Sequence, residues 1–81
     1  MATVQVVVYG TLKIHVKYLE INNDEFNIVL QDNSTVMDLI RELSIPLNEV
    51  HNCFINGVCR SFEEKLKHGD RVALLPPIAG G

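Results

Sequence analysis

Long apolar runs, clustered positive charge and cysteine are all scarce in this chain, and each scarcity closes off a class of function. No apolar stretch approaches the roughly 20 residues needed to cross a bilayer, so no membrane partnership is expected. Lys and Arg number 7 against 10 Asp and Glu, for a formal net charge of −3. Phosphate backbones are bound by clustered cations, whereas Lys13, Lys17, Lys65 and Lys67 are scattered among acids, so no nucleic-acid partner is expected. The opening Met1-Ala2-Thr3-Val4-Gln5 lacks the basic start of a secretory signal, which points to a cytoplasmic protein.

With only 2 cysteines there is no disulfide scaffold. Cys53 and Cys59 flank Asn56-Gly57, the strongest short hairpin signal. A two-residue turn there places Ile55 opposite Val58, Phe54 opposite Cys59 and Cys53 opposite Arg60. Opposed residues share a face and neighbours alternate, so the two thiols point to opposite sides and do not bridge. Their spacing does not suit zinc either, and His15, His51 and His68 stand apart, read as surface residues with no metal to hold. Without a nucleophile, base and acid constellation or a phosphate loop, the chain is not expected to be an enzyme.

What is present is a small α+β pattern. At 81 residues the chain makes one domain, burying about 60–65% of its unfolded surface. Thr3 to Tyr9 alternates around Val4, Val6 and Val8 as a half-buried strand, ended by Gly10. Leu12 to Asn23 fits two periods: Ile14, Val16 and Tyr18 suit a strand, Leu12, Val16 and Leu19 a helical turn. Phe26 to Leu30 reads as a strand, and Asp32-Asn33-Ser34 as a turn. A helix begins at Ser34 or Thr35, with Asp38 in its first turn. Val36, Leu39, Ile40 and Leu43 form its apolar stripe, and Pro46 stops it near Leu43. After the hairpin, Phe62 to Leu66 reads as a single helical turn, His68-Gly69-Asp70 as a turn and Arg71 to Leu75 as the last strand. A mixed sheet with its first and last strands central, and one main helix across one face, buries every one of these stripes. That is the β-grasp, ubiquitin-like roll.

The sequence closes on Leu74-Leu75-Pro76-Pro77-Ile78-Ala79-Gly80-Gly81. Glycine is about 7% of average composition, so a terminal pair arises by chance in only ~0.5% of chains. Residues 1–75 are therefore expected to form the β-grasp domain and residues 76–81 a flexible C-terminal tail that is the working part. Its six residues can extend about 20 Å. Pro76 and Pro77 favour an extended path, while Gly80 and Gly81 present no side chain to a narrow active site. On the last strand Val72 and Leu74 take the core, leaving Ala73 and Leu75 outward. Phe54 and Cys59 share that side, which suggests a partner patch with Cys59 as a small hydrophobe.

These pieces resemble the MoaD/ThiS sulfur carriers, small ubiquitin-like proteins. Tyr9-Gly10-Thr11-Leu12-Lys13 is similar to the end of the family's first strand, Thr35-Val36-Met37-Asp38-Leu39-Ile40 to its helix start, and Leu43-Ser44-Ile45-Pro46 to its helix exit. Ile55-Asn56-Gly57 and Gly69-Asp70-Arg71-Val72 match the hairpin and the turn into the last strand. The tail from Pro76 to Gly81 most resembles that of the molybdopterin synthase small subunit branch. Leu75 departs from the Phe common there, and Ile14 to Asp24 looks unlike the family's short helical turn.

The resemblance implies a sequence of reactions. An E1-like adenylyltransferase of the MoeB/ThiF type joins the Gly81 carboxylate to AMP, using its own ATP and magnesium, so the chain binds no cofactor itself. A sulfur donor then leaves a thiocarboxylate on Gly81, with Gly80 beside it. The sulfur passes to a precursor held by the molybdopterin synthase large subunit (MoaE type) or by another sulfur-accepting enzyme. Phe54, Leu75, Pro76, Pro77, Ile78 and Ala79 would meet these partners. Thiamin or cysteine synthesis, a protein modifier conjugated through Gly81, and an interaction domain with an inert tail remain the alternatives.

Overall fold

A computed structural model describes residues 1–16 and 24–77. Strand β1 (Ala2–Val8) is built on the alternation of Val4, Val6 and Val8, none of which keeps any exposed surface. It ends where Gly10 takes a φ of 57°, a left-handed value that turns the chain out of the sheet. Strand β2 (Glu25–Leu30) lies antiparallel on β1, with Val4 opposite Ile28 and Val6 opposite Phe26. On the other side of β1 runs the last strand, β5 (Arg71–Leu75), parallel to it, with Val6 opposite Val72 and Val8 opposite Leu74. Strand β3 (Asn52–Ile55) pairs antiparallel with β5, and β4 (Val58–Arg60) closes the far edge. The resulting five-stranded order is β2-β1-β5-β3-β4, which puts the first and last strands in the interior of the sheet.

Helix α1 (Val36–Glu42) crosses one face with Val36, Leu39, Ile40 and the following Leu43 all buried against the strands. A seven-residue helix is far too short to persist alone in water, so its end groups matter. Thr35 caps it, and Thr35 and Asp38 form a capping box. The helix stops at Leu43, after which Ser44 adopts a φ of 59°. A short 3-10 turn, Leu47–Glu49, then leads through buried Val50 into β3.

One expectation from the sequence is corrected. Phe62 to Leu66 is not a helical turn. Its carbonyls at Phe62 and Glu64 accept from the N–H groups of Met37 (2.9 Å) and Val36 (3.1 Å), and its Leu66 N–H donates to Ser34 (2.7 Å). The first N–H groups of any helix lack partners within it, and this segment supplies them from outside while Leu66 enters the core. The Glu64 N–H closes one tight turn back to the Ser61 carbonyl (3.2 Å), but with the Phe62 and Glu64 carbonyls committed to α1 no helical turn continues from it.

The segment whose periodicity fitted either a strand or a helix is decided only as far as Val16. There the helical reading holds. Gly10–His15 is a 3-10 helix, Leu12 and Val16 are buried, and Ile14 is 80% exposed. Tyr18 and Leu19 lie outside the described residues.

The hairpin register is the expected one, with Cys53 opposite Arg60, Phe54 opposite Cys59 and Ile55 opposite Val58. Asn56 (φ 52°) and Gly57 (φ 84°) form the turn, where both central residues need the left-handed region. Both cysteines are free, Cys53 buried and Cys59 exposed. His51 and His68 are exposed. His15 is partly covered, its Nε2 lying 3.0 Å from Glu49 Oε2 of the second 3-10 helix.

Candidate functional site

The face of the sheet opposite α1 is the candidate surface. Along β5, Val72 and Leu74 have no exposure while Ala73 and Leu75 are half-buried on the other side. Cross-strand pairing extends this outer row. Val7 of β1 lies beside Ala73, Ala73 beside Phe54 of β3, and Phe54 beside Cys59 of β4. Leu75 lies one step along, opposite Asn52. Phe54 and Leu75 therefore share the outer face as expected, but both are half-buried rather than fully exposed. Val7, at 3% exposure, is the buried floor of the patch. Reading the even-numbered valines of β1 as its apolar side concealed Val7; its own apolarity among Thr3, Gln5 and Tyr9 was the available signal.

A fixed polar cluster borders this patch. Arg71 donates from Nη1 to Gln5 Oε1 (2.6 Å) and from Nη2 to Glu25 Oε1 (2.9 Å), while Gln5 Nε2 donates to Glu25 Oε2 (2.8 Å). The hydrogen bond to Glu25 holds the Arg71 guanidinium above even its usual range, and the charge of Glu25 and the phenol of Tyr9 act in the same direction. Tyr9 itself is 44% exposed. On the other side, Asn56 accepts from the Arg71 N–H (3.0 Å) and donates to Asp70 Oδ1 (3.0 Å). An apolar centre with a polar, already hydrogen-bonded rim is the anatomy of a protein interface.

The tail leaves from this face. Tyr9 N–H donates to the Leu74 carbonyl (3.2 Å), and His51 N–H donates to the Leu75 carbonyl (2.8 Å), so β5 is held on both sides to its last residue. Pro76, lacking an N–H, cannot continue the ladder. Pro76 is half-buried and Pro77 exposed. The expected site residues Ile78, Ala79, Gly80 and Gly81 lie outside the described residues. Among the described residues no three His, Cys, Asp or Glu side chains converge as metal ligands would, and no helix is long and apolar enough to cross a membrane.

A mixed sheet of this order with a single main helix defines the ubiquitin-like β-grasp class. Within that class, the sequence model of the ThiS family matches residues 12–81, and the chain belongs to that family of small ubiquitin-like sulfur carriers. A search of the curated proteins finds no match. Among solved structures, the chain is similar to a protein from Pyrococcus furiosus provisionally assigned as subunit 1 of molybdopterin converting factor. The two share 25% identity at a TM-score of 0.71, over 96% of this chain and 100% of that one. Small archaeal modifier protein 1 of Haloferax volcanii superposes at 0.75 with 18% identity, over 96% and 100%. A complex of subunits 1 and 2 of molybdopterin-converting factor from Helicobacter pylori contains a match at 0.59 with 23% identity, over 98% and 99%.

Proposed function

We propose that this chain carries sulfur on the carboxylate of Gly81 for molybdopterin synthesis in the cytoplasm, and that catalysis belongs to its partners. A chain-terminal carboxylate has a pKa of about 3.3–3.7 and is ionised at neutral pH. It attacks the α-phosphate of ATP on an E1-like adenylyltransferase, and pyrophosphate leaves. A sulfur donor then displaces AMP from the acyl adenylate, leaving a thiocarboxylate whose sulfur passes to a precursor on a large-subunit partner. The chain contributes a docking face and a tail that enters the partner's active site.

The observation that carries this reading is the family match, which runs through the last strand to the Gly80-Gly81 pair. The strand ends beside an apolar sheet face with a polar rim, which suits a carrier that docks on one partner after another. The similarity to a converting-factor subunit 1 and the Pro76-Pro77 pair favour molybdopterin over thiamin as the destination.

Intact mass spectrometry of the protein purified from its own cells tests the proposal. A carrier gains the mass difference between sulfur and oxygen at its C-terminus. Lysine adducts on other proteins would establish a modifier instead, and an unmodified carboxylate in sulfur-replete cells with the adenylating enzyme present would refute the carrier role.

A further inference from the structure

We infer that Gly10 is a positioning residue for the tail, its bare Cα forming the seat against which Pro76 sets the direction of the residues beyond it. This inference rests on the carrier reading above. Continuing the β1–β5 register by two residues past Val8 and Leu74 brings Gly10 beside Pro76. A Cβ added at Gly10 would lie 3.1 Å from Pro76 Cγ and 3.8 Å from Pro76 Cδ. Carbon atoms pack without repulsion at about 3.5–4.0 Å, so any side chain at position 10 must push the proline ring.

A positive φ strains any side chain at position 10, but that conformation alone does not single the position out. The φ of Gly10 is 57°, and in this same protein Asn33 (68°), Ser44 (59°) and Asn56 (52°) occupy the same region. Nor is the contact common to left-handed glycines. Added Cβ atoms at Gly57 and Gly69 would meet nothing within 4 Å. Position 10 is thus set apart by the proline ring it receives.

The contact falls where hydrogen bonding gives out. The carbonyls of Leu74 and Leu75 are still held by Tyr9 and His51, and Pro76 has no N–H to offer. The ring on Gly10 takes over as the hold on the chain. The ring therefore sets the direction in which the tail leaves the sheet, and a tail of this length can extend about 20 Å from that point. Misplacement of a reacting group by about 1 Å can cost 10²-fold in rate.

The test uses the full chain with a cognate E1-like adenylating enzyme, comparing ATP–pyrophosphate exchange at saturating carrier with calorimetric Kd. Gly10→Asn keeps the left-handed backbone accessible but adds the Cβ, and Gly69→Asn is its control. Gly10→Asn should lower kcat by about 10- to 100-fold with Kd within threefold of the parent, while Gly69→Asn changes neither. Pro76→Ala, which removes the ring, should lower kcat on its own, and adding Gly10→Asn to it should cost nothing further. Such non-additivity marks two residues acting through one contact.

Equal exchange by Gly10→Asn and Gly69→Asn would overturn the inference. So would parent-like exchange by Pro76→Ala, a result that does not depend on how well the Gly10 variant folds. Absence of exchange by the parent would overturn the carrier reading, and this inference with it.

Discussion

Thr35 and Asp38 hydrogen-bond each other in both directions, the Thr35 N–H to Asp38 Oδ2 at 2.9 Å and the Asp38 N–H to Thr35 Oγ1 at 3.2 Å. The bond from the Thr35 backbone, with its hydroxyl in support, holds the Asp38 carboxyl below its usual range. A carboxyl with a depressed folded-state pKa contributes stability that is fully present above its unfolded pKa and is lost as pH falls through the folded value. Urea midpoints should therefore decline below about pH 4, and more steeply for the parent than for Asp38→Asn, which cannot titrate. Parallel declines in the two proteins would show that the capping box contributes nothing to acid sensitivity.

Leu39 sits at the centre of the helix stripe with no exposed surface. Leu39→Ala should cost about 2–5 kcal/mol, the lost transfer energy plus the cavity left behind. Small domains have a total stability of about 5–15 kcal/mol, so much of the molecule's margin goes with it. Urea titration measures the loss, and a value below about 1 kcal/mol would mean that the seven-residue helix shifts to close the space.

The same stripe shows why some elements could be read from the sequence and others could not. Val36, Leu39, Ile40 and Leu43 share one face by simple period, and the register of the hairpin follows from Asn56-Gly57 alone; both are local signals. The interior placement of the first and last strands followed from the stripes to be buried. Phe62 to Leu66 misled because its spacing is helical, while its carbonyls answer to Val36 and Met37, some 25 residues earlier in the chain. The contacts of Gly10 and Val7 are non-local for the same reason. Their roles come from Pro76 and Ala73, far along the chain but adjacent across a parallel pairing that no local pattern announces. At the candidate site, the outward placement of Phe54 and Leu75 could be read by alternation, whereas their half-burial depends on neighbours from other strands.

Cys53 and Cys59 should differ sharply in reactivity. The Cys53 thiol donates to the Arg60 carbonyl at 3.0 Å and has no exposed surface, and burial pushes its pKa up. The thiolate is the reactive form, so the folded protein should titrate one thiol with an aromatic disulfide reagent and the second only in denaturant. Rapid reaction of both in the folded state would show that the hairpin opens readily.

Deleting Gly81 should abolish adenylation and leave the fold intact, because the core closes at Leu74 and β5 ends at Leu75. ATP–pyrophosphate exchange and a thermal melt measured together decide it. Retained exchange would refute the carrier reading, and a melt lowered by many degrees would assign the tail a structural role.

Leu75→Glu and Phe54→Glu test the outer face. Val72 and Leu74 take the core, and Leu75 points away from it while still half-covered. A carboxylate there can reach water in the free protein, so stability should fall by about 1 kcal/mol or less. Val7→Glu on the same face is the contrast, since Val7 keeps only 3% exposure and a buried, unpaired charge there should destabilise the domain severely. Against a partner, the Leu75 or Phe54 carboxylate must be desolvated without a counter-charge, at a cost of several kcal/mol, or orders of magnitude in Kd. Calorimetry with the adenylating enzyme and with the sulfur-accepting subunit reads this directly. If both variants fold and bind as tightly as the parent, the docking surface lies elsewhere and the tail alone makes the contact. If Leu75→Glu unfolds the domain as Val7→Glu does, the patch belongs to the core and cannot serve partners at all.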